Sequence, residues 1–334
     1  MKLRSGPSLA VWLVIVWLLG VLPCVAYPIP PVPLWELLQK SDLVLLAKVV
    51  EVDPIAEQED GTRRWDSAIA RLQVVEVWKG EPTDRVEVPY PANLLCPAPP
   101  RYEKGETVLA FLARSEEGTW ATVGLSYGTL YPQTEEVEDY RAAIRDASVL
   151  MKGETVSLQS RLEWLSAIAA RRGTRWHGLY ELEGRSDKLH SYYDRSGASR
   201  ALAASLSEAQ RARIARGFVD EPSTDRTLPM ALSVLADFKS REVDLAAASA
   251  IESVLKEEEV PWWIPDALGL TLKRFGDPDV DKRLAHVGRD FADVDAEEVR
   301  RIWREACSAL GIPRVAPIGV PKPKVWGVGS NTPS

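Results

Sequence analysis

Cysteine, histidine and methionine are all scarce in this chain, with three of each in 334 residues. The histidines are His177, His190 and His286, and neither H-E-x-x-H nor C-x-x-C occurs. The usual zinc-ligand spacings are therefore absent. A disulfide-dense scaffold is excluded as well, since only Cys96 and Cys307 lie beyond the first 26 residues. An oxidising compartment permits a Cys96–Cys307 bridge between the two ends of the chain; the alternative is two separately buried thiols acting as small apolar groups. Basic runs are missing too. The 41 Lys and Arg are dispersed among 48 Asp and Glu, for a formal net charge of −7. A phosphate backbone needs clustered cations, so nucleic acid is not an expected partner.

Charge is also missing from the start of the chain. Lys2 and Arg4 are followed by no charged residue until Glu36, and Ala10 to Leu22 is almost unbroken apolar sequence. A charged opening, an apolar stretch and a small residue at Ala26 form a secretory signal with cleavage expected after Ala26. An uncleaved anchor is the rival reading, because Leu9 to Ala26 approaches the length that spans a bilayer. Export to the periplasm, cell envelope or extracellular space is the expectation, with membrane contact only through this segment.

The pattern that follows is β. Leu43 to Val52 is apolar and β-branched, and Ala70, Leu72 and Val74 alternate with polar neighbours. Val86 and Val88 do the same before Pro89 and Pro91, Val108 to Ala113 is apolar on both faces, and Trp120 to Leu125 follows a Glu117-Gly118 turn. Five short strands divided by turn residues read as a small barrel or sandwich. A short helix over Leu34 to Gln39, opened by Pro33, precedes them.

Near residue 135 the period changes from two to about three and a half, which predicts separate strand and helix cores. Apolar stripes run through Leu158, Leu162, Leu165 and Ala169, and through Leu228, Leu232, Leu235 and Phe238. Others run through Val243, Ala247 and Ile251, through Ile264, Leu268 and Leu272, through Val280, Leu284 and Val287, and through Val299, Ile302, Ala306 and Leu310. Each is one face of an amphipathic helix. The Gly276–Gly311 spacing and the Phe275-Gly276-Asp277-Pro278-Asp279-Val280 phrase resemble HEAT-type helical repeats. Proline and glycine recur every few residues after Gly311, a composition that does not pack.

Four phrases of the β half carry a second resemblance. They are Ser41-Asp42-Leu43-Val44-Leu45-Leu46-Ala47-Lys48-Val49-Val50, Val74-Val75-Glu76-Val77-Trp78-Lys79-Gly80, Leu94-Leu95-Cys96, and Lys104-Gly105-Glu106-Thr107-Val108-Leu109-Ala110-Phe111-Leu112. Residues 34–130 resemble the netrin-module/TIMP-like superfamily, which implies a five-stranded OB-type barrel and a bias toward binding proteins or other extracellular ligands. Inhibitors of that superfamily chelate a catalytic zinc through an N-terminal cysteine. Here the expected mature end is Tyr27-Pro28, so that mechanism does not carry over, and only Cys96 matches a family cysteine position.

Several groups invite a chemical reading. Gly124-Leu125-Ser126-Tyr127-Gly128 has the G-x-S-x-G spacing, but Pro132 soon after argues against the helix a nucleophile elbow needs. His177 with Glu181, and His190 with Asp194, share an i, i+4 spacing that two zinc half-sites would use. Trp176 and Tyr180, and the adjacent pair Trp262-Trp263, are candidate interaction surfaces. Neighbouring helical residues cannot face the same way, so one of Trp262 and Trp263 is expected to be exposed.

The reading as a whole is an α+β multidomain chain with a signal peptide over 1–26 and an OB-like barrel over 27–134. A HEAT-like helical domain over 135–311 and a disordered Pro-rich tail over 312–334 complete it. The expected role is a non-enzymatic interaction protein with no cofactor or metal, whose partner is another extracytoplasmic protein. Alternatives are a protease-inhibitor-like module that does not use cysteine chelation, or a hydrolase at Ser126.

Overall fold

The computed structural model describes residues 31–55, 66–94, 98–153, 155–184, 202–287 and 294–313. The cleavage point after Ala26, Cys96 and therefore its bridge to Cys307, the His190/Asp194 pair and the tail from 314 all lie outside them.

Helix α1 (Leu34–Lys40) begins after Pro33, whose fixed φ suits a helix start, and turns Leu34, Trp35, Leu37 and Leu38 inward. It leads into the central strand β1 (Leu43–Pro54). The other strands are β2 (Ala68–Lys79), β3 (Arg85–Tyr90), β4 (Thr107–Arg114), β5 (Trp120–Thr122) and β6 (Thr129–Leu130). The sheet order is β3-β2-β1-β4-β5, with β6 also pairing β4, and every pairing is antiparallel. Pro89 is inside β3 rather than at its end, which is tolerated because β3 is an edge strand.

The sheet is open, not the closed five-stranded barrel expected from the sequence. β5 has only three residues, all paired to β4, and no ladder joins it to β3. The Tyr102 side chain fills the seam instead. Its ring meets Tyr90 of β3 edge-on at 5.0 Å, and its hydroxyl is 2.7 Å from the Thr122 hydroxyl of β5.

A 3₁₀ turn (Thr134–Glu136) opens the helical half. There follow α2 (Val137–Leu150), α3 (Leu158–Ala170), α4 (Arg175–Glu183), α5 (Glu208–Asp220), α6 (Thr227–Val234), α7 (Arg241–Val254), α8 (Ile264–Arg274), α9 (Val280–Arg283) and α10 (Ala296–Leu310). Side-chain caps start several of them. Ser157 accepts from the Ser160 amide at 3.0 Å, and Asp295 from the Glu297 and Glu298 amides at 3.1 Å, satisfying donors that a helix start leaves unpaired. α3 packs on α4 and α5, α4 on α6, α5 on α7, α6 on α8, and α7 on α8. Gly217 permits the α3–α5 crossing, since a Cβ there would lie 2.1 Å from the Ala170 carbonyl oxygen.

Helix C-termini are held by cations from elsewhere in the chain, which complements both the unpaired carbonyls and the helix dipole. Lys79 donates to the carbonyls of Leu38 (2.6 Å) and Ser41 (2.5 Å) at the end of α1. Arg175 donates to Gly217 and Glu221 at the end of α5. Arg274 reaches Leu235 and Phe238 past the end of α6, and Arg300 reaches Leu255, Glu257 and Glu258 past the end of α7.

One core is built by the sheet half alone, and the other, built mostly by helices, also takes in one face of the sheet. Leu43, Leu45, Ala47, Leu72, Val86, Val88, Val108 and Leu112 make one core on one sheet face. Val44, Leu46, Leu109 and Phe111, on the opposite face, belong to a second core that continues through α1–α10. Period-two alternation buries both faces of β1 and β4, each against a different neighbour. Arg141 of α2 clamps Glu76 of β2 at 2.8 Å across the same junction. Ile312, assigned to the tail from sequence, is buried in this core.

Candidate functional site

The four aromatic residues singled out in the sequence all line one cleft of about 400 Å³ between α4, α6, α8 and α9. Trp176 and Tyr180, one turn apart on α4, stack at 5.0 Å with their planes 20° apart. Trp176 also lies nearly parallel to Tyr127, at 6.5 Å, in the 3₁₀ turn Leu125–Gly128 of the sheet half. The Arg226 guanidinium sits 5.1 Å from the centre of the Trp176 indole, within cation–π range. Trp262 and Trp263 lead into α8 and also line the cleft. Trp263 is buried and Trp262 is 43% exposed, as their adjacency requires.

Polar groups ring this aromatic floor. Glu183, Asp266 and Asp281 supply carboxylates, and Arg226 and Lys273 supply cations. Lys273 is 3.9 Å from Asp281. Sequence reasoning passed over Arg226, Met230, Asp266 and Lys273. The signal for two of them was present, because Trp262, Asp266, Gly269 and Lys273 recur at intervals of four, three and four, which is one helix face. Arg226, in the turn before α6, had none.

Behind the cleft His177 is buried, edge-on to Trp176 at 4.9 Å and to Tyr140 at 6.0 Å. Burial, and secondarily the charge of Arg226, push its pKa down to about 3. Its Nδ1 has no hydrogen-bond partner among the described residues. The imidazole is therefore neutral at ordinary pH. Glu181, four residues on from His177, pairs with Arg161, and burial raises the Glu181 carboxyl pKa. Among the described residues no group of three His, Cys, Asp or Glu is placed to hold a metal.

The G-x-S-x-G segment is a turn between β5 and β6. Gly124 has φ +67°, and a Cβ on Gly128 would fall 1.9 Å from the Val123 carbonyl. These demands explain both glycines. The turn continues into a strand, so Ser126 lacks the strand–turn–helix setting of a nucleophile elbow. Cys307, half-buried on α10, has its thiol pKa pushed up to about 11 by burial and the nearby Glu252 charge, far from the range of a reactive thiolate.

A second cleft, of about 770 Å³, opens between α1, the end of β2, α2 and α3 and includes Lys79, Lys152 and Arg161. Two of these cations serve the fold: Lys79 caps α1, and Arg161 pairs with Glu181 and lies 5.4 Å from the Trp35 ring. No helix among the described residues is long and apolar enough to cross a membrane. No protein-family model, curated protein or solved structure matches this chain.

Proposed function

We propose that this chain is an exported, non-enzymatic binding protein and that the cleft between α4, α6 and α8 receives an extended segment of a partner protein. An OB-like sheet and a HEAT-like helical stack are the architecture we assign to it. The strand order, with β3 and β5 meeting at the Tyr102 seam, supports the first part. The packing of helices on their second neighbours supports the second. The charged opening and apolar run before Ala26 support export.

The convergence of Trp176, Tyr180, Trp262 and Trp263 with Arg226 on one cleft carries this reading. Tryptophan, tyrosine and arginine dominate the energetics of protein recognition, and side chains at such centres cost about 2 kcal/mol or more of binding when truncated. The cleft volume is in the range of pockets that accept a ligand-sized group.

The test is capture by the tagged full chain after cross-linking in the source cells, repeated with Trp262→Ala and Arg226→Ala. A partner held by the wild type and lost by both variants, with an affinity drop of about 30-fold, supports the assignment. Equal capture by all three proteins removes it.

A further inference from the structure

The geometry points to a second binding site. The cleft of about 770 Å³ between α1, the end of β2, α2 and α3 takes a small amphiphilic anion, with a carboxylate or phosphate head on an apolar body. This site is separate from the aromatic cleft, and the inference does not rest on that one.

Lys79, Lys152 and Arg161 line this cleft, and none of its described lining residues is acidic. Two of the cations have duties in the fold that leave donors over. Lys79 gives N–H groups to the Leu38 and Ser41 carbonyls, and an ammonium has three. Both partners are neutral, so the charge of Lys79 is not cancelled. Burial pushes its pKa down, and an anion beside it would act in the opposite direction. Arg161 gives Nη2 to Glu181, while its Nη1 has no hydrogen-bond partner among the described residues. Lys152 is exposed, and among the described residues its side chain has neither an ion pair nor a hydrogen bond. Carboxylates on neighbouring segments are engaged. Glu36 pairs with Lys40, Glu181 with Arg161, and Asp42 accepts from the Arg114 amide at 2.8 Å.

The rest of the lining asks for an apolar body. Trp35, Met151 and Val156 share the cleft with the cations, and Gln39 and Ser148 add neutral polar groups. Val149 and Leu158, next in the chain to Ser148 and near Val156, are exposed. An apolar wall with a few polar anchors is how small-molecule sites are built, and the volume falls in their range. A bare inorganic anion would leave that wall unused.

Titration calorimetry of the full chain with octanoate and octyl phosphate, below micelle-forming concentrations, tests this. 1-Octanol is the control for the body and inorganic phosphate for the head. One saturable site is expected for at least one of the two amphiphilic anions, with both controls about tenfold weaker or more. The tighter of the two assigns the head group. Lys152→Gln, an exposed change outside both cores, should weaken binding about tenfold. Trp262→Ala, in the other cleft, should leave it unchanged. In the wild type, acetylation of Lys152 by an N-hydroxysuccinimide ester, mapped by peptide mass, should slow when the bound anion is present, while that of the exposed Lys104 should not. The inference is overturned by lack of saturable binding, by octanol or inorganic phosphate binding as tightly as the anions, by unchanged affinity in Lys152→Gln, by weakened binding in Trp262→Ala, or by equal protection of the two lysines.

Discussion

Replacing Arg274 by methionine isolates the contribution of one helix-end clamp. The guanidinium is 6% exposed and donates to Asp244 Oδ1 at 2.8 Å, to the Leu235 carbonyl at 2.6 Å and to the Phe238 carbonyl at 2.9 Å. It joins the last turn of α8 to the end of α6 and the start of α7. Methionine keeps an apolar stem of similar length but removes every donor. Asp244, 17% exposed, is left as a nearly buried charge, and two carbonyls lose their partner. Breaking a buried pair from one side costs about 3–5 kcal/mol, and the residual exposure of Asp244 favours the lower end, about 3–4 kcal/mol. For a domain of this size that corresponds to a fall in Tm of about 6–16 °C. Urea unfolding and calorimetry provide the readout, with Arg301→Met as reference. Arg301 pairs with Glu298 and Glu305 at half exposure, and its loss should change little. Adding Asp244→Asn to Arg274→Met should recover part of the loss, because the stranded charge is its main source. A cost below about 1 kcal/mol, or further loss in the double variant, would refute the reasoning.

Three other outcomes follow from the packing. Gly217→Ala should destabilise by about 2 kcal/mol: the gain in helix propensity is about 1 kcal/mol, but the new Cβ meets the Ala170 backbone, which cannot rotate away; an unchanged or higher Tm would contradict this. Trp263→Ala should cost about 3–5 kcal/mol of stability and Trp262→Ala about 1 kcal/mol or less; chemical denaturation of both separates the cleft's floor from its exposed edge. His177 gains a proton near pH 6.5 when unfolded but only near pH 3 when folded, so its contribution is complete above about pH 6.5 and is lost as pH falls toward 3. Between pH 7 and 4 the wild type should lose about 3 kcal/mol more than His177→Phe, while Glu181, whose raised pKa acts in the opposite direction, is common to both; equal losses in urea titrations would count against the buried neutral imidazole.

Much of the fold was legible where one residue pattern has one interpretation. The stripes over α3, α6, α7, α8 and α10 were read because leucine, isoleucine and valine repeat along one face. α5 was not, because its buried set is Gln210, Ile214, Ala215 and Phe218, with a polar residue at a core position. Leu158 matched the α3 stripe yet is 54% exposed; at the first helical position it lies outside the packed turns. Five of the six strands were found and the two-residue β6 was not; closure of the sheet depends on whether β5 grows long enough to pair with β3, and alternation within each strand is blind to that. The cleft was half legible. Its aromatic residues announce themselves by type, whereas Arg226 acquires a role only when α4 and α6 are packed together.

The face of β1 and β4 that carries Val44, Leu46, Leu109 and Phe111 is covered by helices, and this bears on how such a chain can be cut or inherited. A gene fragment ending at residue 134 would make strands whose greasy underside meets water, an invitation to self-association. The two halves are therefore not interchangeable cassettes: recombination that moved the sheet without its roof would have to supply another one.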